Sequence, residues 1–191
     1  PIFLDSPLAI RLTEVFKRYK NYLNEDAQKA MKSDKYLFDF PGLHNTLKSE
    51  ESKMIATVLN PKIVIAGSGM SAGGRVVHHE RHYLPDPNNT LLLIGYQSVG
   101  TPGRLIQEGV KTVRITGEDV VVRSHIVTIS GYSGHKDSDG LLDFVGDMQD
   151  SVKKVFVVMG EPKSAMFLVQ KLRDNLGIDV YAPEIGDSAK L

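Results

Sequence analysis

Apolar positions along the chain follow two periods. Leu8, Leu12, Val15, Tyr19 and Tyr22 recur at spacings of four, three, four and three, the pattern of an amphipathic helix. Asp5-Ser6-Pro7 precedes that stripe and supplies a capping side chain and a first-turn proline. Ile2-Phe3-Leu4 before it reads as a strand. Residues 24–45 are mixed and rich in Asp and Lys, with a turn at Pro41-Gly42. Residues 46–59 predict a second helix, opened by Asn45 or Thr46 and closed before Pro61. A repeated grammar then begins. Residues 63–66 read as a short buried strand, 67–74 as a glycine-rich loop and 75–84 as a helix. Residues 90–94 form the next strand, 95–103 a second glycine-bearing loop, 104–108 a short helix and 111–115 another strand. Apolar strands alternating with helices predict an α/β fold, with a mostly parallel sheet flanked by helices on both faces. Beyond these, 120–122 and 125–129 read as strands of another sheet. A helix over 138–148, a strand over 155–158, a helix over 162–176 and a strand over 178–181 follow. A boundary near 116–119 divides the chain into 1–118 and 119–191.

Composition narrows the function classes. Of 191 residues, 41% are hydrophobic and 24% charged, enough for a sizeable core. The longest apolar runs are four to six residues, against roughly 20 needed to cross a bilayer, so no membrane partner is expected. Cysteine is absent, which excludes a disulfide framework, a thiolate metal site and a thiol nucleophile, and makes a cytoplasmic location the expectation. Lys and Arg number 23 and so do Asp and Glu. A nucleic acid would therefore be held by a local patch or by loop amides rather than by a generally basic surface. The chain opens at Pro1, without Met and directly into a strand, as an excised fragment would.

Both glycine loops follow an apolar strand and precede a helix, where open α/β sheets bind ligands. Glycine permits tight turns and close ligand approach, and amides at a helix start can face an anion. Ser68, Ser71, Thr101 and Arg104 could add phosphate contacts. The first loop, Gly67-Ser68-Gly69-Met70-Ser71-Ala72-Gly73-Gly74, is neither a dinucleotide fingerprint nor a lysine-bearing P-loop. Anion sites and plain strand-to-helix turns both remain open for the two loops.

Among the histidines, His78, His79 and His82 share one helix with Glu80. A zinc-protease motif starting at His79-Glu80 would need His at position 83, which is Tyr83. His78 and His82 share a face but want a third ligand, so surface or packing roles are expected. His135 stands in Gly131-Tyr132-Ser133-Gly134-His135-Lys136-Asp137, a small-residue loop leading into a helix. There an imidazole can meet substrate or shuttle a proton. The other reading is an exposed His in a turn, with Asp137 as a helix cap.

Taken in order, these segments resemble the β-CASP branch of the metallo-β-lactamase superfamily, whose members include RNA-processing nucleases. Pro1-Ile2-Phe3-Leu4-Asp5-Ser6-Pro7-Leu8-Ala9 is similar to the family's entry into the β-CASP domain. Ser68-Gly69-Met70 with Gly73-Gly74-Arg75 and His78-His79 is similar to its S-G-M-x-x-G-G-x-x-x-H segment. Asn89-Thr90, Gly95-Tyr96-Gln97 and Gly100-Thr101-x-Gly103-Arg104 match the strand and loop that follow. The segment 131–137 resembles G-[FY]-S-[AG]-H-x-D, with Lys136 where a small residue is common. Val158-Met159-Gly160-Glu161 resembles V-H-G-E, with Met159 at a position where the family has a zinc-ligating His.

The resemblance implies a Rossmann-like β-CASP domain over 1–118 that clamps RNA, and a C-terminal segment of a metallo-β-lactamase fold over 119–191. It implies zinc-dependent hydrolysis of an RNA phosphodiester in the parent protein, with single-stranded RNA as partner; a homodimer is also compatible. Ser68, Gly69, Ser71, Gly73, Gly74, Thr101, Gly103 and Arg104 would hold the RNA backbone, and His135 would contact the phosphate or act as general acid. The family's H-x-H-x-D-H cluster is not in this sequence and would precede Pro1. A thioether at Met159 is a poor substitute for imidazole on zinc. This chain is therefore expected to bind no zinc and to hold RNA without cutting it. The competing reading is a noncatalytic paralogue serving as a scaffold or protein-interaction module.

Overall fold

Three parallel strands open the architecture. The computed structural model describes residues 1–34 and 36–189. Strand β1 (Ile2–Asp5) lies between β2 (Leu43–Asn45) and β3 (Ile63–Ala66), with Ile2 opposite Leu43 and Ile63. Phe3 and Asp5 alternate onto the buried side of β1. Helix α1 (Pro7–Arg18) starts as its sequence dictates, with the Ser6 hydroxyl accepting from the Ala9 amide at 3.3 Å and Pro7 in the first turn. Its apolar stripe is not buried, however. Leu8, Leu12, Val15, Tyr19 and Tyr22 are all exposed, and Ile10 is the residue α1 buries. Periodicity sets which residues share a face; it does not supply a surface to cover them.

Several elements depart from expectation for local reasons. Residues 24–45 contain helix α2 (Glu25–Ser33), capped by Asn24, whose side chain accepts from the Ala27 amide at 2.9 Å. This helix buries no residue fully, and its apolar face is only Ala27, Ala30 and Met31, a weak signal in a segment rich in charge. Thr46 caps nothing, because its hydroxyl turns to Asp5 at 2.6 Å. Helix α3 (Ser49–Met54) starts later, where Glu51 reaches back to the Leu47 and Lys48 amides, and it tightens into a 3₁₀ turn over Ile55–Thr57. Strand β3 is not buried on both sides, since Ile63 and Ile65 are exposed.

The glycine-loop grammar is present. Helix α4 (Val76–Tyr83) follows β3, and strand β4 (Thr90–Ile94) leads to the short helix α5 (Pro102–Gln107). Strands β5 (Thr112–Ile115) and β6 (Glu118–Val121) form an antiparallel hairpin, and β7 (His125–Ile129) pairs in parallel with β4. The strands expected to begin another sheet thus join earlier ones. Val77, Leu84, Leu93, Ile106, Val113, Ile115 and Val120 make the core that seats α4 and α5 against them.

By packing, the chain divides into Pro1–Ser133 and the residues from Gly134 onward. The 118/119 boundary drawn from sequence falls at the first residues of β6, inside the β5–β6 hairpin. In the second unit, helices α6 (Ser138–Gly146) and α7 (Pro162–Leu176) accompany a parallel pair, β8 (Lys154–Phe156) and β9 (Asp179–Tyr181). Val145, Val169, Leu172 and Val180 form its core. The architecture is α/β, with mostly parallel strand pairings and helices between them. Among the described residues no helix is long and apolar enough to cross a membrane.

Candidate functional site

At the carboxyl end of β1, Asp5 is fully buried and takes four side-chain bonds. Thr46 Oγ1 and Ser52 Oγ donate at 2.6 Å, Arg75 Nη1 donates at 2.6 Å, and His79 Nε2 stands 2.7 Å away. Burial pushes the Asp5 carboxyl up, but the bonds from Ser52, Thr46, His79 and Arg75 together hold it below the usual carboxylate value. Arg75 also donates to the carbonyls of Thr46 and Leu47. A charge so deep needs a full set of partners, and this one ties β1, α3 and the start of α4 together. His79 is a packing histidine, as expected for that helix, and it stacks on Tyr83 at 6.1 Å.

The loop 67–74 rests above this knot, between β3 and α4. Ser68 and Gly69 are exposed, whereas Ser71 is 2% exposed and gives its hydroxyl to Glu80 Oε1 at 2.5 Å. Ser71 has φ +56°, a left-handed conformation that costs a non-glycine residue roughly 1–2 kcal/mol. Its inward hydroxyl serves the loop's shape. Burial pushes the Glu80 carboxyl up to about 7, against the opposing bond from Ser71. Gly74 has φ +71°, and a Cβ there would meet the Gly67 carbonyl oxygen at 2.5 Å, so the turn into α4 requires glycine. The amides of Gly69, Met70, Ala72 and Gly73 donate to no acceptor among the described residues. Cβ atoms at Gly69 or Gly73 would meet nothing within 4 Å. This is an open surface carrying several uncommitted donors.

The second loop closes onto the first. The Gly103 amide donates to the Met70 carbonyl at 3.0 Å, and Gln97 Nε2 donates to the Gly69 carbonyl at 2.8 Å. The two glycine segments thus form one platform at the carboxyl ends of β3 and β4. Thr101 caps α5 and donates its hydroxyl to the Ser98 carbonyl at 2.7 Å. Gly103 is buried, so it joins the loops rather than facing solvent. Arg104 directs Nε to Glu108 Oε1 at 2.6 Å and Nη1 to the Gln97 carbonyl at 3.3 Å.

The remaining predicted residues lie apart in sequence. His135 is exposed, just inside the second unit, ahead of the α6 cap where Asp137 accepts from the Gly140 amide at 2.8 Å. Met159 is 101% exposed, with φ +65°, in the turn between β8 and α7. Among the described residues no three His, Asp or Glu side chains are grouped to hold a metal ion. Sequence reasoning missed Asp5, Arg75, Glu80 and Gln97. A carboxylate ending a buried parallel strand and an amide set between glycines were the signals available.

Set against known proteins, residues 1–106 match the Beta-Casp domain, and residues 119–183 match the Zn-dependent metallo-hydrolase RNA specificity domain. Ribonuclease TTHA0252 of Thermus thermophilus is 39% identical over 168 residues, covering 88% of this chain and 38% of that protein. Transcription termination factor FttA of Pyrococcus abyssi is 30% identical over 197 residues, covering 100% of this chain and 30% of the factor. The FttA of Methanocaldococcus jannaschii is 27% identical over 192 residues, covering 96% and 30%. The chain thus spans between 30% and 38% of the length of these relatives.

Proposed function

Because this chain belongs to the Beta-Casp family, whose domain it carries over residues 1–106, we propose that it is the part of an RNA-processing metallo-hydrolase that grips the RNA backbone. The observation that carries the reading is the joined platform of the two glycine loops, with the uncommitted amides of Gly69, Met70, Ala72 and Gly73 beside the exposed Ser68 hydroxyl. Backbone amides suit phosphate oxygens and are indifferent to base identity. They also explain how a chain with zero net charge can hold a polyanion. The names of the relatives, a ribonuclease and termination factors, and the RNA specificity description over 119–183 support the same reading.

In this assignment residues 1–118 clamp single-stranded RNA, and 119–191 form a segment of the metallo-β-lactamase fold. Ser68, Gly69 and Gly73 face the backbone, and Thr101 and Arg104 flank it. Ser71, Gly74 and Gly103 hold the platform's shape. His135 meets the scissile phosphate in the complete protein, whose reaction is RNA phosphodiester hydrolysis. The residues described here do not fit zinc: no three donor side chains converge, and Met159 offers a neutral thioether where the resemblance calls for imidazole. No hydrolytic step is assigned to this chain, which is expected to bind RNA without cutting it.

Titrating fluorescein-labelled oligouridylate and a mixed-sequence RNA of equal length tests the reading. Comparable affinity for both, with amide resonances of 68–73 moving in a ¹⁵N-labelled sample, is expected. Absence of binding at low salt would favour the scaffold reading, to which the pairing of Arg104 with Glu108 already lends some support.

A further inference from the structure

Gln97 is 1% exposed and sits in a loop, between Gly95 and Gly100. Burying a carboxamide is costly unless its polar atoms are paired. Here the pairing is one-sided. Nε2 donates to the Gly69 carbonyl at 2.8 Å, whereas Oε1 is buried without a hydrogen-bond partner. That oxygen occupies the space beside Gly103: a Cβ on Gly103 would overlap it and would meet the carbonyl carbon and oxygen of Met70 at 3.0 Å. The missing side chain at 103 therefore admits the carboxamide, and the carboxamide reaches the first loop.

The consequence lies one atom further on. The Gly69–Met70 peptide is trans, and a planar trans peptide points its carbonyl and the following N–H in opposite directions. Drawing the Gly69 oxygen toward buried Gln97 turns the Met70 N–H away from it. The next carbonyl, that of Met70, is held by the Gly103 amide, and the Ser71 amide closes a turn onto the Ser68 carbonyl at 3.3 Å. The Met70 amide is left turned away from Gln97 and donates to no acceptor among the described residues.

We propose that Gln97 is a positioning residue which, through the Gly69 carbonyl, aims the Met70 amide at an RNA phosphate. This rests on the RNA-backbone reading above, but it makes a separate claim about one peptide plane. Gln97 touches no RNA in this arrangement. Its effect is to hold a donor in place before the strand arrives, so that no reorganisation is needed on binding.

Gln97→Met keeps the length of the side chain and removes the donor. In the ¹⁵N-labelled chain, titrated with oligouridylate, the Met70 amide of the wild type should shift. In the variant its resonance should already be displaced without RNA and should no longer respond. Gly73 and Thr101 should still respond, and affinity should fall about tenfold, the loss of one hydrogen bond to a charged group. A general loss of structure would move all loop resonances together and lower the melting temperature. If the variant fails to fold, Gln97→Leu removes the same donor with a shorter apolar side chain and should give the same selective loss at Met70. A Met70 resonance and affinity matching wild type in Gln97→Met would overturn the positioning role while leaving the RNA reading intact. A wild type that ignores RNA, with Met70 displaced in the variant, would remove the RNA reading and keep the claim about the peptide plane.

Discussion

Glu80→Gln isolates a carboxyl group whose ionisation is strongly displaced by its surroundings. Glu80 is 3% exposed on α4; Oε1 accepts from Ser71, and Oε2 is buried without a partner. Burial raises it from an ordinary 4.5 to about 7, because the neutral form suits a site with one donor and no cation. Linkage sets the sign. In the unfolded chain the group releases its proton near pH 4.5, while in the folded chain it keeps the proton to about 7. Between those values the native state binds more protons, so raising the pH lowers stability. The full stabilisation is present below pH 4.5 and is lost as pH rises through 7. At about 1.4 kcal/mol per pH unit the whole effect is about 3 kcal/mol, of which about 2 kcal/mol falls between about pH 5.5 and 8. Glutamine keeps an acceptor for Ser71 and does not titrate, and the fixed cost of its unpartnered amide cancels in the pH dependence. Urea unfolding followed by circular dichroism at several pH values, on both proteins, reads the difference directly. The Glu80→Gln variant should gain about 2 kcal/mol on the wild type between about pH 5.5 and 8. Parallel pH profiles would refute the reasoning, since they would mean that Glu80 ionises alike in both states.

The other predictions address the platform and the metal. Arg104→Ala should weaken binding similarly for all single-stranded RNAs and reduce the salt slope by roughly 0.7, the value for one neutralised phosphate. If affinity and slope stay put, and stability falls by about 0.2–0.5 kcal/mol, then Arg104 serves its contacts within the protein, such as the pair with Glu108, rather than RNA. Asp5→Ala should cost roughly 3–5 kcal/mol in denaturant melts, because Arg75 loses a buried counter-charge while Thr46, Ser52 and His79 lose a hydrogen-bond partner; a cost below about 1 kcal/mol would show that the knot is dispensable. Elemental analysis of untagged protein should find no stoichiometric zinc, and one tightly held zinc per chain would contradict the donor inventory.

The sequence by itself determined most of the strands, the helices that flank them and the two glycine loops, though not helix α2 or the true start of α3. It places helix α7 at its observed bounds, because Pro162 enters the first turn and Gly177 accepts the left-handed conformation that ends it. The loops at 67–74 and 95–103 are legible for a similar reason: glycines after apolar strands are local signals. The supports of those loops are not legible. Asp5 and His79 are 74 residues apart and Gln97 and Gly69 are 28 apart, and nothing local in either pair names its partner. Glu80, among histidines and an arginine on a short helix, looks like a surface carboxylate until Ser71 folds over it. The tertiary structure also decided which apolar faces are covered. The period of α1 aligns Leu8, Leu12, Val15 and Tyr19, yet Ile10 alone is buried there. Spacing along a helix fixes which side chains share a face, while burial depends on what distant chain is folded against that face.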